Sequence, residues 1–584
     1  MKSPTKAVLF FCSCFIVLTT FAGCSLINRG KDKEAKVEPV PVNMLLVEYA
    51  SPGLSSYNFR VVDGFGLVYN LGENGCIEAE SAHRQLVRDE LKRDEVQDIN
   101  KLIDSKDTAI VRVQAKVRPG IRKGEPIDVE ISLPPGSECK SLQGGILYKT
   151  VLTDMYDAGG GGYKRGKTLA TVEGPIQLDP SLAKDHPNRE KRAVILGKAT
   201  YREDRDFTFV LNTEGRNEGQ KGQIALELER QINRRYKIEG EPTGVAKARS
   251  QPSVSVDVKM HPNYREAPNR YLAVLMSIRC FESETQAAGR LEILKQELLD
   301  PETSQLAALQ LEALAAKSGA DTLYKGLESP NRDVQFYSAE ALAYLHKPGV
   351  GAVLADFARN DKQKRHAAIM ALASMGSDLE AAEHLVPLME QGEPDLRYGA
   401  FWALWRRNPE HPAIRAWPQE AYPYHYHVLP FNEPLVHATQ SRRQEIVLFS
   451  QNIKLNAPFV GSAGKAIFVN VLSPDQVRIE RVNPGGINET RLRPNSLDKV
   501  LETIAELGGS YQDAFEFLVE AGTEQQNGYR ALACQFVVDG IAMEKERSYN
   551  ATIYAENKEN ETAVPEESQK KKSALSRLNP ANWR

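Results

Sequence analysis

Between about residues 42 and 280 the apolar positions recur at the period of a strand. Residues 108–117 place Ala109, Val111, Val113, Ala115 and Val117 on one face, and residues 126–133 do the same with Ile127, Val129, Ile131 and Leu133. Arg118-Pro119-Gly120 separates these two predicted strands. Residues 60–72 alternate β-formers with glycines, and Gly64 and Gly66 there permit close backbone approach or positive φ. Residues 81–102 switch to helical spacing, with Leu86, Leu91, Val96 and Leu102 as the expected inner positions.

The period then stays helical from residue 292 to 408. An Ala-Leu pair recurs at Ala313-Leu314, Ala341-Leu342, Ala371-Leu372 and Ala403-Leu404, spaced by 28, 30 and 32 residues. Each pair falls in an expected helix, such as 339–345 or 367–375. Gly or Pro punctuation and a second helix follow, at 349–357 and 379–390. Small Ala at a helix crossing with Leu beside it is what close helix packing needs, and four such units can stack a continuous core. This segment resembles short HEAT-type repeats, whose usual work is to bind a protein along a concave face. Near the other end, Leu497, Val500, Leu501, Ile504 and Leu507 keep helical spacing. Gly508-Gly509 ends that helix and Ser510 can N-cap the next.

The first thirty residues read as an address. Lys2 and Lys6 precede 17 uncharged residues, 7–23, which is short for a span of ~20 apolar residues and suits a signal peptide. It ends Phe21-Ala22-Gly23-Cys24-Ser25, similar to the bacterial lipobox, so Cys24 is the expected lipid attachment site. Residues 24–45 read as a polar tether.

The 584 residues carry 74 Lys+Arg against 77 Asp+Glu, and loss of residues 1–23 removes two lysines and leaves −5. No basic excess exists to coat nucleic acid. Cys76, Cys139, Cys280 and Cys534 remain, with three possible pairings and no CxxC spacing. His425-x-His427 could face one side of a strand, but no further ligand pair completes a zinc set, so no metal and no cofactor are expected. The aromatics of residues 409–440 read as an exposed contact surface in a linker. Residues 159–162, four glycines, read as a loop, and no catalytic signature occurs. The polar tail, with Lys570-Lys571-Lys572, reads as disordered.

Residues 64–72 (GFGLVYNLG) resemble the opening motif of the bacterial flagellar P-ring family. So does the block 109–152. There the family's "G-x-x-I-D-V" strand covers residues 124–129, including Asp128, and its "K-S-L-x-G-G-x-L" covers 140–147. Gly174-Pro175-Ile176, the helix 224–236 and the strand 254–258 also have counterparts, and 497–529 resembles the family's C-terminal helix pair. The motif residues are thus Gly64, Gly66, Gly72, Asp128, Lys140, Ser141, Leu142, Gly144, Gly145, Gly174 and Pro175.

The resemblance covers about 350 residues and implies an α+β fold, a split P-ring-like mixed α/β core with an inserted all-α HEAT-like solenoid. The expected division is signal 1–23, tether 24–45, core 46–290, repeat insertion 291–408, linker 409–440, core 441–545 and tail 546–584. The resemblance further implies a non-enzymatic homo-oligomeric ring in the periplasm. Its partners would be the flagellar rod, neighbouring ring proteins and peptidoglycan, and it would be a bushing needed for motility. The lipobox adds an outer-membrane anchor to this pattern, and the insertion adds a site for a further protein. The alternative reading is a lipid-anchored envelope scaffold that binds partners through the solenoid, outside any flagellum.

Overall fold

The computed structural model describes residues 44–539 and Tyr549, apart from residues 158–162, 180–185, 213, 215, 238–243, 251–253, 316, 415–421, 484, 487 and 525–527. The signal, Cys24, the tether to residue 43, the glycine run and most of the tail lie outside the described residues.

The chain opens with β1 (Met44–Leu45), α1 (Leu46–Tyr49) and β2 (Ala50–Pro52), then enters a barrel. Its first strand is β3 (Arg60–Tyr69). After α2 (Ala82–Arg93) and α3 (Ile99–Ile103) come β4 (Ala109–Val117), β5 (Pro126–Ser132), β6 (Ile146–Asp157) and β7 (Tyr163–Pro175). The short β8 (Gln177–Leu178) and β9 (Arg192–Tyr201) follow. The antiparallel order β5-β4-β3-β6-β7-β9 closes on itself through β5–β9 pairing, and β8 lies on β9. Closure removes the free sheet edges. The alternation expected for β4 and β5 is the alternation seen: Val111, Val113, Val117, Val129 and Ile131 fill the barrel interior. Phe65, Leu67 and Ile110 point the other way, beneath Val87 and Leu91 of α2.

One helix was expected across residues 81–102. Glu95 and Asp98 instead take positive φ (56° and 51°), which ends α2 and starts α3, so the buried set becomes Val87, Leu91 and Ile103. Leu86, Val96 and Leu102 are only partly buried.

Beside the barrel, β10 (Phe207–Leu211), α4 (Glu218–Arg235), β11 (Ala246–Arg249), β12 (Ser255–Val258), α5 (Pro268–Met276) and β13 (Arg279–Cys280) complete the first half. The sheet order is β11-β12-β10-β2, and β13 pairs with β1. Eight helices follow: α6 (Glu284–Leu299), α7 (Ser304–Leu314), α8 (Lys317–Leu327), α9 (Arg332–Tyr344), α10 (Gly351–Asn360), α11 (Arg365–Ser374), α12 (Asp378–Glu390) and α13 (Pro394–Arg407). They stack in two layers, and the four Ala-Leu pairs all lie in one layer, on α7, α9, α11 and α13. That layer is not separate from the first half. Its apolar residues share one continuous core with α4, α5 and the sheet beneath them, and the expected boundary at 290/291 falls inside α6.

The segment read as a linker contributes two strands. β14 (His425–Val428) and β15 (Leu435–Thr439) join β16 (Glu445–Leu448) and the last strand, Gln535–Asp539, in a sheet of order β14-β16-β15-last. A four-stranded meander follows, β17 (Phe459–Ala463), β18 (Ile467–Ser473), β19 (Gln476–Arg481) and β20 (Glu489–Pro494). It is covered by α14 (Leu497–Glu506) and α15 (Tyr511–Gly522), after which the last strand becomes β21. Ser510 caps α15 in a reciprocal capping box with Asp513. Tyr422, Tyr424 and Tyr426, expected on the surface, are buried instead: their rings pack on one another, and Tyr424 meets the Tyr511 ring of α15, which covers this segment.

Candidate functional site

The motif residues divide by what they do to the backbone. Gly64 and Gly66 share the parity of Val62 and Val68 and so face the barrel interior. A Cβ on Gly64 would overlap the Val151 carbonyl, and one on Gly66 the Thr150 hydroxyl, where β6 bulges toward β3. Close approach is therefore the reason for these glycines. Gly72, Gly144 and Gly174 sit at positive φ, and a Cβ on Gly145 would strike Val68. Pro175 pairs with Ile146 at the end of β7. Cys76 and Cys139 form a disulfide, while Cys280 and Cys534 are free thiols.

The block 140–145 folds over the barrel rim. The amides of Lys140 and Ser141 both donate to the Asn74 carbonyl, at 2.8 and 3.4 Å, and the Lys140 side chain is exposed. Ser141 donates its hydroxyl to Glu190, and the Leu142 amide donates to the Glu190 carbonyl at 2.8 Å, with the Leu142 side chain fully buried. The next carbonyl, that of Gln143, accepts from Lys465 Nζ at 2.8 Å, and the Lys465 stem packs over Gly144. This loop is one joint between the barrel and the C-terminal half.

Asp128 makes the second joint. Its carboxylate accepts from the Gly197 amide at 2.7 Å and from the Arg442 amide at 2.7 and 2.6 Å, across 314 residues of chain. Gly197 (φ +60°) leaves room for the Arg442 carbonyl, which a Cβ would overlap. The barrel thus presents a carboxylate and a glycine gap, and the turn at 441–443 seats in them. Val194 and Leu196 of the same strand pack into the core of the C-terminal half.

A third joint ties α5 to the helix stack. Arg270 pairs with Glu312 and, at 2.7 Å, with Glu340, and all three side chains are at most 4% exposed. Tyr264 donates to Glu312 at 2.6 Å, and the Arg270 guanidinium lies 4.4 Å from the Tyr344 ring. Burial opposes the charge on Arg270, but Glu312 and Glu340 hold it protonated. Arg270 also donates to the Tyr549 hydroxyl at 3.1 Å, so the chain after β21 returns to α5.

At the far end of the stack, α13 lies on the β14–β16 sheet. Tyr398 stacks on His437 at 3.6 Å and donates to Glu445 at 2.9 Å, Phe401 meets His427 edge-on, and Trp405 meets His425. His427 Nδ1 lies 2.9 Å from the Ile414 carbonyl. Burial pushes His425 down to about 4 and His427 down to about 3, so both are neutral packing groups near pH 7.

These three bodies enclose a crevice of about 760 Å³, bordered by the barrel rim, α5, α13 and the 442–443 turn. Its walls pair Arg118 with Glu125 at 2.8 Å, Arg265 with Glu125 at 2.9 Å and Arg406 with Glu266 at 3.1 Å. Arg443 pairs with Glu445 and lies 3.5 Å from the Trp405 ring centroid.

The geometry is one of rigid joints between bodies, as in a structural subunit. Residues 57–288 match the model of the flagellar P-ring protein family, and over this span the chain is similar to that family. The match begins just before the barrel and ends inside α6. That family is a structural flagellar ring family rather than an enzyme family. No curated protein matches the chain. Among the described residues, no helix is long and apolar enough to cross a membrane.

Proposed function

We propose that this protein is a lipid-anchored structural subunit of a flagellar basal-body ring. It is held to the outer membrane through Cys24 and assembles around the rod as a bushing at the peptidoglycan layer. The family match over residues 57–288 carries this reading. A bushing needs stiff subunits and strong lateral contacts, and the joints at Asp128, Lys465 and Arg270 favour a stiff subunit.

Lateral closure needs two unlike surfaces on each copy. Two unlike apolar surfaces are exposed: Val460, Phe468 and Leu492 on the outer face of the meander, and Leu54 with Val210 beside β2 and β10. The HEAT-like stack then carries a protein partner on the outside of the ring. Natively extracted protein should sediment as a large ring visible by electron microscopy, and Phe468→Glu should release monomers. A persistent monomer in the unmutated protein would sink the reading.

The two-layer helix stack favours a second reading, an envelope scaffold without a flagellum. A deletion strain that swims normally would support it.

A further inference from the structure

Two helices expose faces of opposite charge, each built around a solvent-facing leucine. On α12, Leu379 is 81% exposed, and the helix carries four acidic residues and no Lys or Arg. Asp378 is paired with Arg407, and Glu380 accepts from the start of α10, so the acids left on the outer face are Glu383 and Glu390, both exposed. On α4, Leu226 is 64% exposed, and residues 230–237 carry four cations and no acid. Arg230 pairs with Glu227 of its own helix yet keeps its side chain 65% exposed, and Arg234 is exposed one turn further on.

The spacing matches as well as the sign. Arg230 and Arg234 follow Leu226 by four and eight residues, and Glu383 and Glu390 follow Leu379 by four and eleven. Such steps hold each set on one side of its helix. Laid side by side in parallel, the two helices set Leu226 on Leu379 and Arg230 on Glu383. Glu390 then lies three residues beyond Arg234, a rise of about 4.5 Å that a guanidinium on its three-carbon stem reaches. An antiparallel pairing that joins the leucines drives the charges apart, so the pattern selects one orientation. Covering the leucines removes apolar surface from water, and the opposed charges fix the register. We infer that α12 of one copy of this chain docks in parallel on α4 of a second copy. The two faces are unlike and every copy carries both, so the contact is heterologous and passes from copy to copy.

The contact rests on the folded chain alone and not on a flagellar setting. Full-length Leu226→Cys and Leu379→Cys variants, both in a Cys534→Ser background, are coexpressed with different tags and treated with a short bismaleimide after native extraction. Cys280 is buried and stays in place. The expected product is a covalent dimer carrying both tags, joined through the two introduced thiols, and neither variant alone should form it. Adding Arg230→Glu/Arg234→Glu to the first variant should cut its yield about tenfold, and adding Glu383→Arg/Glu390→Arg to the second should restore it. That restoration separates a broken contact from a misfolded chain. No mixed dimer, equal dimer from either variant alone, or loss without restoration would overturn the inference. A ring seen by electron microscopy without this cross-link would overturn it and leave the ring reading standing, whereas the cross-link in protein that forms no ring would support it and sink that reading.

Discussion

Two of the joints that hold the first half to its neighbours, those at Arg270 and Asp128, use opposite devices. Arg270 joins α5 to the helix stack by side-chain charge in a fully buried apolar setting. Asp128 joins the barrel to the C-terminal half by reading backbone amides, one of them beyond a glycine gap. The first joint is strong only while every charge keeps its partner, since a stranded buried charge costs far more than the intact pair contributes. The second is local, and its loss frees one turn rather than a core.

The largest expected effect is therefore Arg270→Met, which strands Glu312 and Glu340. Denaturant unfolding should show a loss of about 3–5 kcal/mol, and adding Glu312→Gln and Glu340→Gln should restore much of it. No restoration would break the contrast. Asp128→Ala should cost about 2–3 kcal/mol, with hydrogen exchange rising in residues 441–448 while α7 and α9 stay protected. Uniform exchange throughout would show the two joints to be one cooperative unit. Asp128→Asn, which keeps an acceptor oxygen, should fall in between.

The α13 contact adds a pH test. His427 has a folded pKa near 3, below its ordinary value of about 6.5. Protons therefore bind the unfolded chain first, so its contribution is complete above pH 6.5 and is lost as pH falls toward 3. About 2 kcal/mol should be gone by pH 5. His427→Gln should flatten that dependence in thermal melts between pH 5 and 7.5.

The smallest effect tests the backbone-reading device inside the stack. Glu380 of α12 accepts from the amides of Gly349, Val350 and Gly351 at 2.8, 3.1 and 3.1 Å, satisfying the start of α10. Glu380→Gln should cost about 1 kcal/mol and raise exchange in α10 alone.

Local period explains what could be read in advance. In β4 and β5 the interior of the barrel and the alternation of the chain are the same fact, so Val111, Val113, Val129 and Ile131 announced themselves. The Ala-Leu pairs did so for the same reason, since helix spacing and layer contact coincide at Ala341 and Ala371. The break after α2 was hidden because non-glycine residues, Glu95 and Asp98, carry the positive φ. Residues 425–439 looked like a loop because their strands are short and covered on both faces, which erases alternation.

The amino-acid order by itself thus settled the barrel strands β4 and β5 and the repeat of helix pairs, both of which depend on spacings of a few residues. Three things were decided only in three dimensions. One is the pairing of Cys76 with Cys139. Another is the seating of Arg442 on Asp128 across 314 residues, and the third is the fusion of the helix stack with the core around Arg270. Each depends on which surfaces meet once the barrel has closed, and contacts at that separation leave no periodic trace along the chain.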